Sequence, residues 1–432
     1  MVKTVLKYLR ICFIILAFLP FSYKLAVAEE VLVWQDCLKE AAKNHPDLIA
    51  AEEEVKQSEA NKGITASTLF PQVDSSISAS TARGASGEGD TATHSTADSY
   101  SYGVTGTQLI FDGTKTIQDV KSASESIKAA KHSFKFTSTT VRFRLRSAFI
   151  DLLKAQEMLR ITEEIYDIRR GNLELITLRY VSGLDHKGAL LTAEADLANA
   201  KYGISQARRD IEVAQGELIK EMGRAQWAPL AVKGDFEVKD SVKEKPDFVL
   251  LAKNNPSLQQ VISKKNAAEF SLRSAYANFS PELSGQAGAN KTGSHWSPQN
   301  DQWNLGLVLS MPIFEGGLRF AQVSQAQAVL NQLKASERST KDGIVLSLEQ
   351  TWADLQDAID NVGVQKKVLT ATEERSNIAQ VQYSTGFITF DNWTIIEDNL
   401  VKAKKSFLDA QANALLAEAK WVQAKGETLE YE

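Results

Sequence analysis

The chain has 432 residues and a formal net charge of −5, and this acidic balance argues against nucleic acid as a partner. Its five histidines are scattered along the sequence, which contains no HExxH motif, no Cys/His cluster and no phosphate-binding glycine loop. We therefore expect neither an enzyme nor a bound cofactor.

Residues 1–28 have the pattern of a cleaved secretory signal peptide. Basic residues flank an apolar run from Ile11 to Phe21, and the Ala-Val-Ala pattern of a cleavage site follows at residues 26–28. The apolar run is too short to cross a bilayer as a helix. We expect an exported protein that begins after Ala28.

The rest of the sequence contains an internal repeat. Tyr180 and Gly183 reappear as Tyr383 and Gly386, a shift of 203 residues in both cases. Because separated landmarks keep one offset, the lengths between them are the same in both copies, and the repeat decides the domain organisation. The expected domains are the signal peptide (1–28), a first repeat (29–223), a linker (224–245) and a second repeat (246–432).

Both repeats are expected to contain very long helices. Proline, which breaks helices, is absent between Pro71 and Pro229 and again after Pro312. Within these tracts apolar residues recur every seven positions, the period of a helix packed along a seam. In the first tract they are Leu145, Leu152, Leu159, Tyr166, Leu173 and Tyr180; their counterparts are Leu348, Leu355, Val362, Leu369, Ser376 and Tyr383, of which only Ser376 is polar.

Each long helix is expected to end at a Tyr-x-x-Gly turn, because glycine adopts the left-handed conformation that stops a helix. The returning helix continues the spacing of seven and completes an antiparallel helical hairpin in each repeat. Its seam residues are Leu190, Leu197, Ile204, Ile211 and Leu218 in the first repeat, and Trp393, Leu400, Phe407, Ala414 and Trp421 in the second.

Each repeat also contains a predicted β-hairpin, at about residues 71–111 and 281–314. Apolar and polar residues alternate there with the period of a strand, and strands of about ten residues suit a membrane crossing. Four strands cannot cover their own edges in lipid, so the chain must oligomerise or keep the hairpins in water. Aromatic residues at the four strand bases favour the membrane and are expected at its interface: Phe70, Phe111, Phe279 and Phe314.

The order and spacing of these motifs resemble the TolC family of outer-membrane channel-tunnels. The resemblance rests on the Asn-x-Pro or Asn-Pro helix starts at Asn44 and Asn255, the Phe-Pro or Phe-Ser-Pro strand entries, the Phe-Asp/Glu-Gly strand exits and the Tyr-x-x-Gly turns. It implies a membrane α+β fold in which a homotrimer forms one twelve-stranded β-barrel above a periplasmic tunnel of helical hairpins. The linker would lie at the equator of that tunnel.

The resemblance also implies the site residues and the partners. The two turns would form the periplasmic tip that contacts a periplasmic adaptor, or membrane fusion protein. Members often carry an aspartate six residues after the turn glycine; here those positions hold alanine and Asn392, with Asp391 one place earlier, so Asp391 and Asn392 are the candidates for a pore constriction. The implied tip residues are Arg179, Tyr180, Gly183, Gln382, Tyr383 and Gly386.

The expected function is a passive conduit in the outer membrane of a Gram-negative bacterium. Energy would come from an inner-membrane transporter of the RND or ABC type, and the cargo would be small molecules or proteins secreted by a type I system. The alternative is a periplasmic coiled-coil scaffold, which explains the heptads and the signal peptide but gives the strand hairpins no purpose.

Overall fold

The computed structural model describes residues 30–86, 93–238 and 244–429. The predicted signal peptide, residues 1–28, lies outside this part. Among the described residues, no helix combines the length and apolarity that a bilayer crossing requires. The elements of the first repeat are β1 (Glu30–Leu32), α1 (Trp34–Asn44), α2 (Pro46–Ser67), β2 (Gln72–Ser86), β3 (Thr93–Phe111), α3 (Lys115–Val181) and α4 (Lys187–Met222).

The second repeat has the same order of elements after a short connecting segment. Its two long helices begin and end 203 residues after their counterparts, and the paired helices have identical lengths of 67 and 36 residues. Its elements, with the strand that precedes them, are β4 (Leu230–Val232), α5 (Phe248–Lys253), α6 (Pro256–Ala277), β5 (Glu282–Gly293), β6 (Asn300–Ser310), α7 (Leu318–Ser384) and α8 (Phe390–Lys425).

The four long strands form one antiparallel sheet in the order β2-β3-β5-β6. The two hairpins are therefore joined to each other through β3 and β5. The second hairpin ends at Ser310 rather than near residue 314, because Pro312 has no backbone N–H to donate to a ladder. In the first hairpin, the strands of 15 and 19 residues are longer than the expected ten.

The sheet has one apolar face and one polar face. Partners across antiparallel strands share a face, and the register aligns Ile77 with Tyr102 and Ala289 with Trp303. Exposed apolar side chains on that face include Val73, Ile77, Tyr102, Val104, Trp303, Leu305, Leu307 and Leu309. On the opposite face Ser78 hydrogen bonds to Ser101 and Asn290 donates to Gln302.

The main core lies where α1, α3 and α4 meet the small parallel sheet of β1 and β4. Leu145, Leu152 and Leu218 are fully buried there. The segment expected as a linker, residues 224–245, contains β4, and Gln156 of α3 binds both the amide and the carbonyl of Val232. Most of this segment is therefore fixed against the first helical hairpin; residues 239–243 lie outside the described part.

The helical seams differ in detail from the expected positions. In α4 the residues most deeply buried at a spacing of seven are alanines, whereas Leu190, Ile204 and Ile211 are only partly buried. Gly203 lies so close to α3 that an added Cβ would approach Thr162 within 3.1 Å. Small residues thus bring α4 close to its neighbours, and the larger apolar residues flank them. The alanines are Ala193, Ala200, Ala207 and Ala214.

Ser376, the one polar residue in the predicted seam of α7, is buried, as are Leu348, Leu355 and Tyr383 of the same series. Its hydroxyl lies 2.5 Å from Oε1 of Glu397, which is also buried, on α8. A buried carboxylate needs a hydrogen-bond donor. Ser376 supplies this donor to the acidic residue on the returning helix.

Candidate functional site at the helical tip

The two turns that join the long helices have the same backbone geometry. Gly183 and Gly386 follow the helix ends with φ of +71° and +82°, a conformation that favours glycine. Leu184 donates its N–H to the carbonyl of Arg179 at 2.8 Å, and Phe387 does the same to Gln382. Both turns therefore close as Schellman motifs, which satisfy the last carbonyls of each helix.

The returning helices begin with equivalent caps made by different side chains. Nδ1 of His186 accepts the N–H of Ala189 at 3.1 Å, and Oγ1 of Thr389 accepts that of Asn392 at 3.4 Å. Each cap occupies the third position after its turn glycine. Length and backbone path are therefore shared by the two turns even where their sequences differ.

A polar cluster of three side chains joins the two turns, and we call it the tip latch: Arg179, Asp185 and Tyr383. Asp185 accepts from Nε of Arg179 at 2.9 Å and from the Tyr383 hydroxyl at 2.5 Å. Arg179 also donates to the backbone carbonyl of Tyr383 at 3.1 Å. Since Arg179 and Asp185 belong to the first repeat and Tyr383 to the second, the latch holds the two hairpins together.

Aromatic packing fixes the tyrosine of the latch. The ring of Tyr383 stacks on Trp393 with a centroid distance of 4.3 Å and an interplanar angle of 11°. The guanidinium of Arg179 makes a cation–π contact with the same ring, and its central carbon lies 4.6 Å from the ring centroid. Phe390 packs at the edge of the same cluster. Tyr383 is 1% exposed as a result.

The ionisation behaviour of the latch follows from these contacts. Burial raises the pKa of Asp185, but hydrogen bonds from Tyr383 and Arg179 outweigh it and leave that pKa below its ordinary value. Burial and the bond to Asp185 raise the pKa of the Tyr383 hydroxyl. The latch therefore consists of a charged arginine, a charged carboxylate and a neutral phenol at neutral pH.

The two turns are not equivalent in their surroundings. Tyr180, the counterpart of Tyr383, is 38% exposed and has Leu190 where the second repeat has Trp393. Gln382, the counterpart of Arg179, is exposed, and the position that matches Asp185 holds an isoleucine. Of the six expected tip residues, Arg179 and Tyr383 lie together in the latch. A position-by-position comparison of the two repeats would have singled out Asp185, because the equivalent position in the second repeat is uncharged.

Asp391 and Asn392, the candidates for a constriction, lie in the first turn of α8. Both are exposed in the single chain. They are adjacent to Phe390 and Trp393, whose side chains are buried in the tip cluster. Their side chains are thus free of the packing that holds the latch.

Further ion pairs join the two hairpins away from the tip. The sequence pattern did not predict them. Arg169 of α3 is buried and bridges Asp398 of α8 and Asp196 of α4. Lys404 of α8 lies 2.5 Å from Glu164 of α3. These charges sit between seam positions, so heptad spacing alone cannot locate them.

The four strand-base phenylalanines are all exposed, and they lie far apart in sequence at the ends of the sheet. Phe70 precedes β2, Phe111 ends β3, Phe279 precedes β5 and Phe314 follows β6. The ring of Phe279 contacts that of Phe320, with 5.3 Å between the ring centroids.

Within the described ranges, no group of three or more His, Cys, Asp or Glu side chains could hold a metal ion.

Sequence comparisons place the chain among bacterial outer-membrane proteins. It is 23% identical to the outer membrane protein TolC of Escherichia coli over 296 residues, which are 64% of this chain and 59% of that relative's length. It is 19% identical to the outer membrane efflux protein BepC of Brucella suis over 393 residues, 90% of this chain and 84% of the relative.

The fold agrees with solved outer-membrane channels. The Campylobacter jejuni CmeC outer membrane channel superposes with a TM-score of 0.80 at 17% identity, covering 90% of this chain and 85% of that one. The model of the outer membrane efflux protein family matches residues 37–224 and 249–427, which cover most of both repeats. The chain belongs to the outer membrane efflux protein family.

Proposed function

We propose that the protein is the passive outer-membrane channel of a tripartite export system. The observation that carries the proposal is the four-stranded sheet, because its apolar face is exposed and its edge strands β2 and β6 have no partner in the described chain. A sheet of this kind is stable in lipid only when its edges are paired and its apolar face meets the hydrocarbon.

Three copies satisfy that requirement. Strand β6 of one copy pairs with β2 of the next, and four strands from each of three copies close a barrel of twelve. The polar face of the sheet then lines the pore, and the apolar face contacts outer-membrane lipid. Phe70, Phe111, Phe279 and Phe314 would mark the lower membrane interface.

The helical hairpins form the periplasmic part of the conduit. Helices of 67 residues extend for about 100 Å, enough to carry a tunnel well into the periplasm. The tip latch keeps the tunnel closed by tying the two hairpins of a chain together. Tyr180, Gly183, Gln382 and Gly386 are available at the turns for contact with a periplasmic adaptor, which would open the tip.

Asp391 and Asn392 are the proposed constriction residues. Three symmetry-related copies of an exposed carboxylate near the axis would favour cations over anions in the closed or partly open pore. The partners of the channel are the adaptor and an inner-membrane transporter of the RND or ABC type. The cargo is a small molecule in the first case and often a secreted protein in the second.

Purification from the outer-membrane fraction tests the proposal. We expect a detergent-extracted trimer that forms ion-conducting channels in planar lipid bilayers, with cation selectivity reduced by Asp391→Ala. Asn361→Ala, on the exposed surface of α7, is the control. Recovery as a soluble periplasmic monomer, the behaviour expected of a scaffold, would contradict the channel.

A further inference from the structure

The junction between α1 and α2 contains a buried histidine that holds two elements at once. Nδ1 of His45 accepts the N–H of Asp47 at 3.1 Å and so caps the start of α2. Its Nε2 faces Oε2 of Glu221, near the end of α4, at 3.4 Å. His45 and Glu221 are both buried. Because Nδ1 accepts, the proton lies on Nε2, and the ring is in its neutral form.

The second repeat makes the same junction with an amide. Oδ1 of Asn255 accepts the N–H of Ser257 at 3.0 Å and caps α6, while Nδ2 donates to the carbonyl of Ala424 near the end of α8 at 3.0 Å. Asn255 is also buried. In both repeats, the acceptor of a planar side chain therefore caps one helix, and a nitrogen of the same side chain contacts the end of the returning helix.

The two junctions differ in whether they can change charge. The neighbours of His45 are ionisable: Asp47 on α2, Arg144 on α3, and Glu221 with Lys220 on α4. The corresponding residues of the second repeat are Ser257, Ser347, Ala424 and Gln423, none of which titrates. Imidazole is the side chain whose charge changes between about pH 5 and 8.

A charge change at this position cannot leave the contacts intact. Protonation places a second N–H on Nδ1, where it faces the N–H of Asp47 instead of accepting from it. Nε2 keeps its proton in both forms, so the ring stays on Glu221 while the cap of α2 is lost. The backbone leaves little room for adjustment, since a Cβ on Gly223 would lie 2.5 Å from the carbonyl oxygen of Asn44.

We propose that the first repeat contains a proton-sensitive joint, in which protonation of His45 releases the start of α2 from the end of α4. The Asn255 junction of the second repeat stays closed under the same conditions. Asp47 does not account for such a response, because its bond to Arg144 keeps the pKa of that carboxyl below its usual range. Protonation thus loosens one of two otherwise matched joints.

Hydrogen–deuterium exchange on the full chain in detergent tests the joint. Between pH 7.5 and about pH 5.5, after correction for intrinsic exchange rates, we expect residues 45–52 to exchange roughly fivefold faster, the factor that corresponds to losing one N-cap. Residues 255–262 form the matched segment within the same molecule and should show no such increase.

Two substitutions test whether the acid response follows the histidine from one repeat to the other. His45→Asn should abolish the acid response of residues 45–52, and Asn255→His should transfer a response to residues 255–262. His45→Asn retains both hydrogen-bonding functions seen at Asn255, so the variant keeps the fold. A wild-type chain with equal protection at both pH values, or a His45→Asn chain that keeps the response, would overturn the proposal.

Discussion

The three side chains of the tip latch contribute in different ways. Asp185 is the acceptor shared by the other two, Arg179 adds a contact to the backbone of the second turn, and Tyr383 supplies a hydroxyl on a firmly stacked ring. Because the ring of Tyr383 packs on Trp393 independently of its hydroxyl, the polar and apolar parts of the latch can be separated by a single-atom change.

Tyr383→Phe should open the tip without unfolding it. The change removes a hydrogen bond to a charged group, worth about 1.5–3 kcal/mol, and keeps the stacking on Trp393. A loss of this size shifts a two-state closed-to-open equilibrium by about tenfold or more. Single-channel recordings in planar bilayers should show a higher open fraction; Tyr180→Phe, at the exposed counterpart, should record as wild type.

The latch should be insensitive to mild acid. The pKa of folded Asp185 is lowered, so its stabilising contribution is present above the unfolded value of about 3.9 and is lost only as pH falls through the folded pKa. The raised pKa of Tyr383 keeps its hydroxyl protonated through the alkaline range below about pH 10. Channel recordings at pH 5 and 7.5 should give the same closed fraction; an opening between these values would exclude Asp185 as the controlling group.

At the scale of elements, the helical hairpins are matched in length and share most of the alanine row. Ala200, Ala207 and Ala214 are buried in the returning helix of the first repeat, and their counterparts in the second are buried as well: Ala403, Ala410 and Ala417. The second repeat buries Trp393 and Trp421 where the first has leucines. The two hairpins therefore share a close-packed row of small residues and differ in the size of the side chains beside it.

Enlarging the alanine row should be destabilising. Ala200 is buried against Ile161, Ile165 and Leu408, so Ala200→Leu forces extra volume into a closed contact and should cost about 1–3 kcal/mol. Denaturant unfolding followed by circular dichroism measures the change. Ala198→Leu, two residues away on the exposed side, adds the same side chain and should alter stability by less than about 0.5 kcal/mol.

Much of this element structure can be predicted from the sequence, because helix ends and turns depend on local signals. Glycine at Gly183 and Gly386, proline distribution and the period of seven determine where the helices stop. The alanine row of α4 was missed because larger residues at neighbouring positions dominate an apolar pattern. The latch was missed since Asp185 and Tyr383 are 198 residues apart and no period links them.

At the scale of the whole molecule, equal helix lengths are a condition for the latch. Arg179 and Asp185 reach Tyr383 only because both hairpins end at the same level. The sheet and the connecting segment fix the other end of each hairpin. A difference in length between the repeats would therefore appear entirely at the tip.

Shortening one hairpin by a heptad should open the channel, and shortening both should close it again. Deleting residues 159–165 and 203–209 retracts the first turn by about 10 Å, beyond the reach of hydrogen bonds to Tyr383. The matching deletions, residues 362–368 and 406–412, retract the second turn equally. Bilayer conductance should rise with the first pair of deletions and return toward wild type with all four; persistent leakage of the fourfold variant would contradict a length match.

The order of the sheet also affects how defective chains behave in a mixture. Strands β3 and β5 meet inside one chain, whereas β2 and β6 are the edges through which copies would join. A chain whose β2 edge is blocked still offers an intact β6 edge, so it can join one normal neighbour but cannot let the ring close. Expressed beside the normal protein, such a chain would be dominant-negative and would trap normal copies in unfinished assemblies.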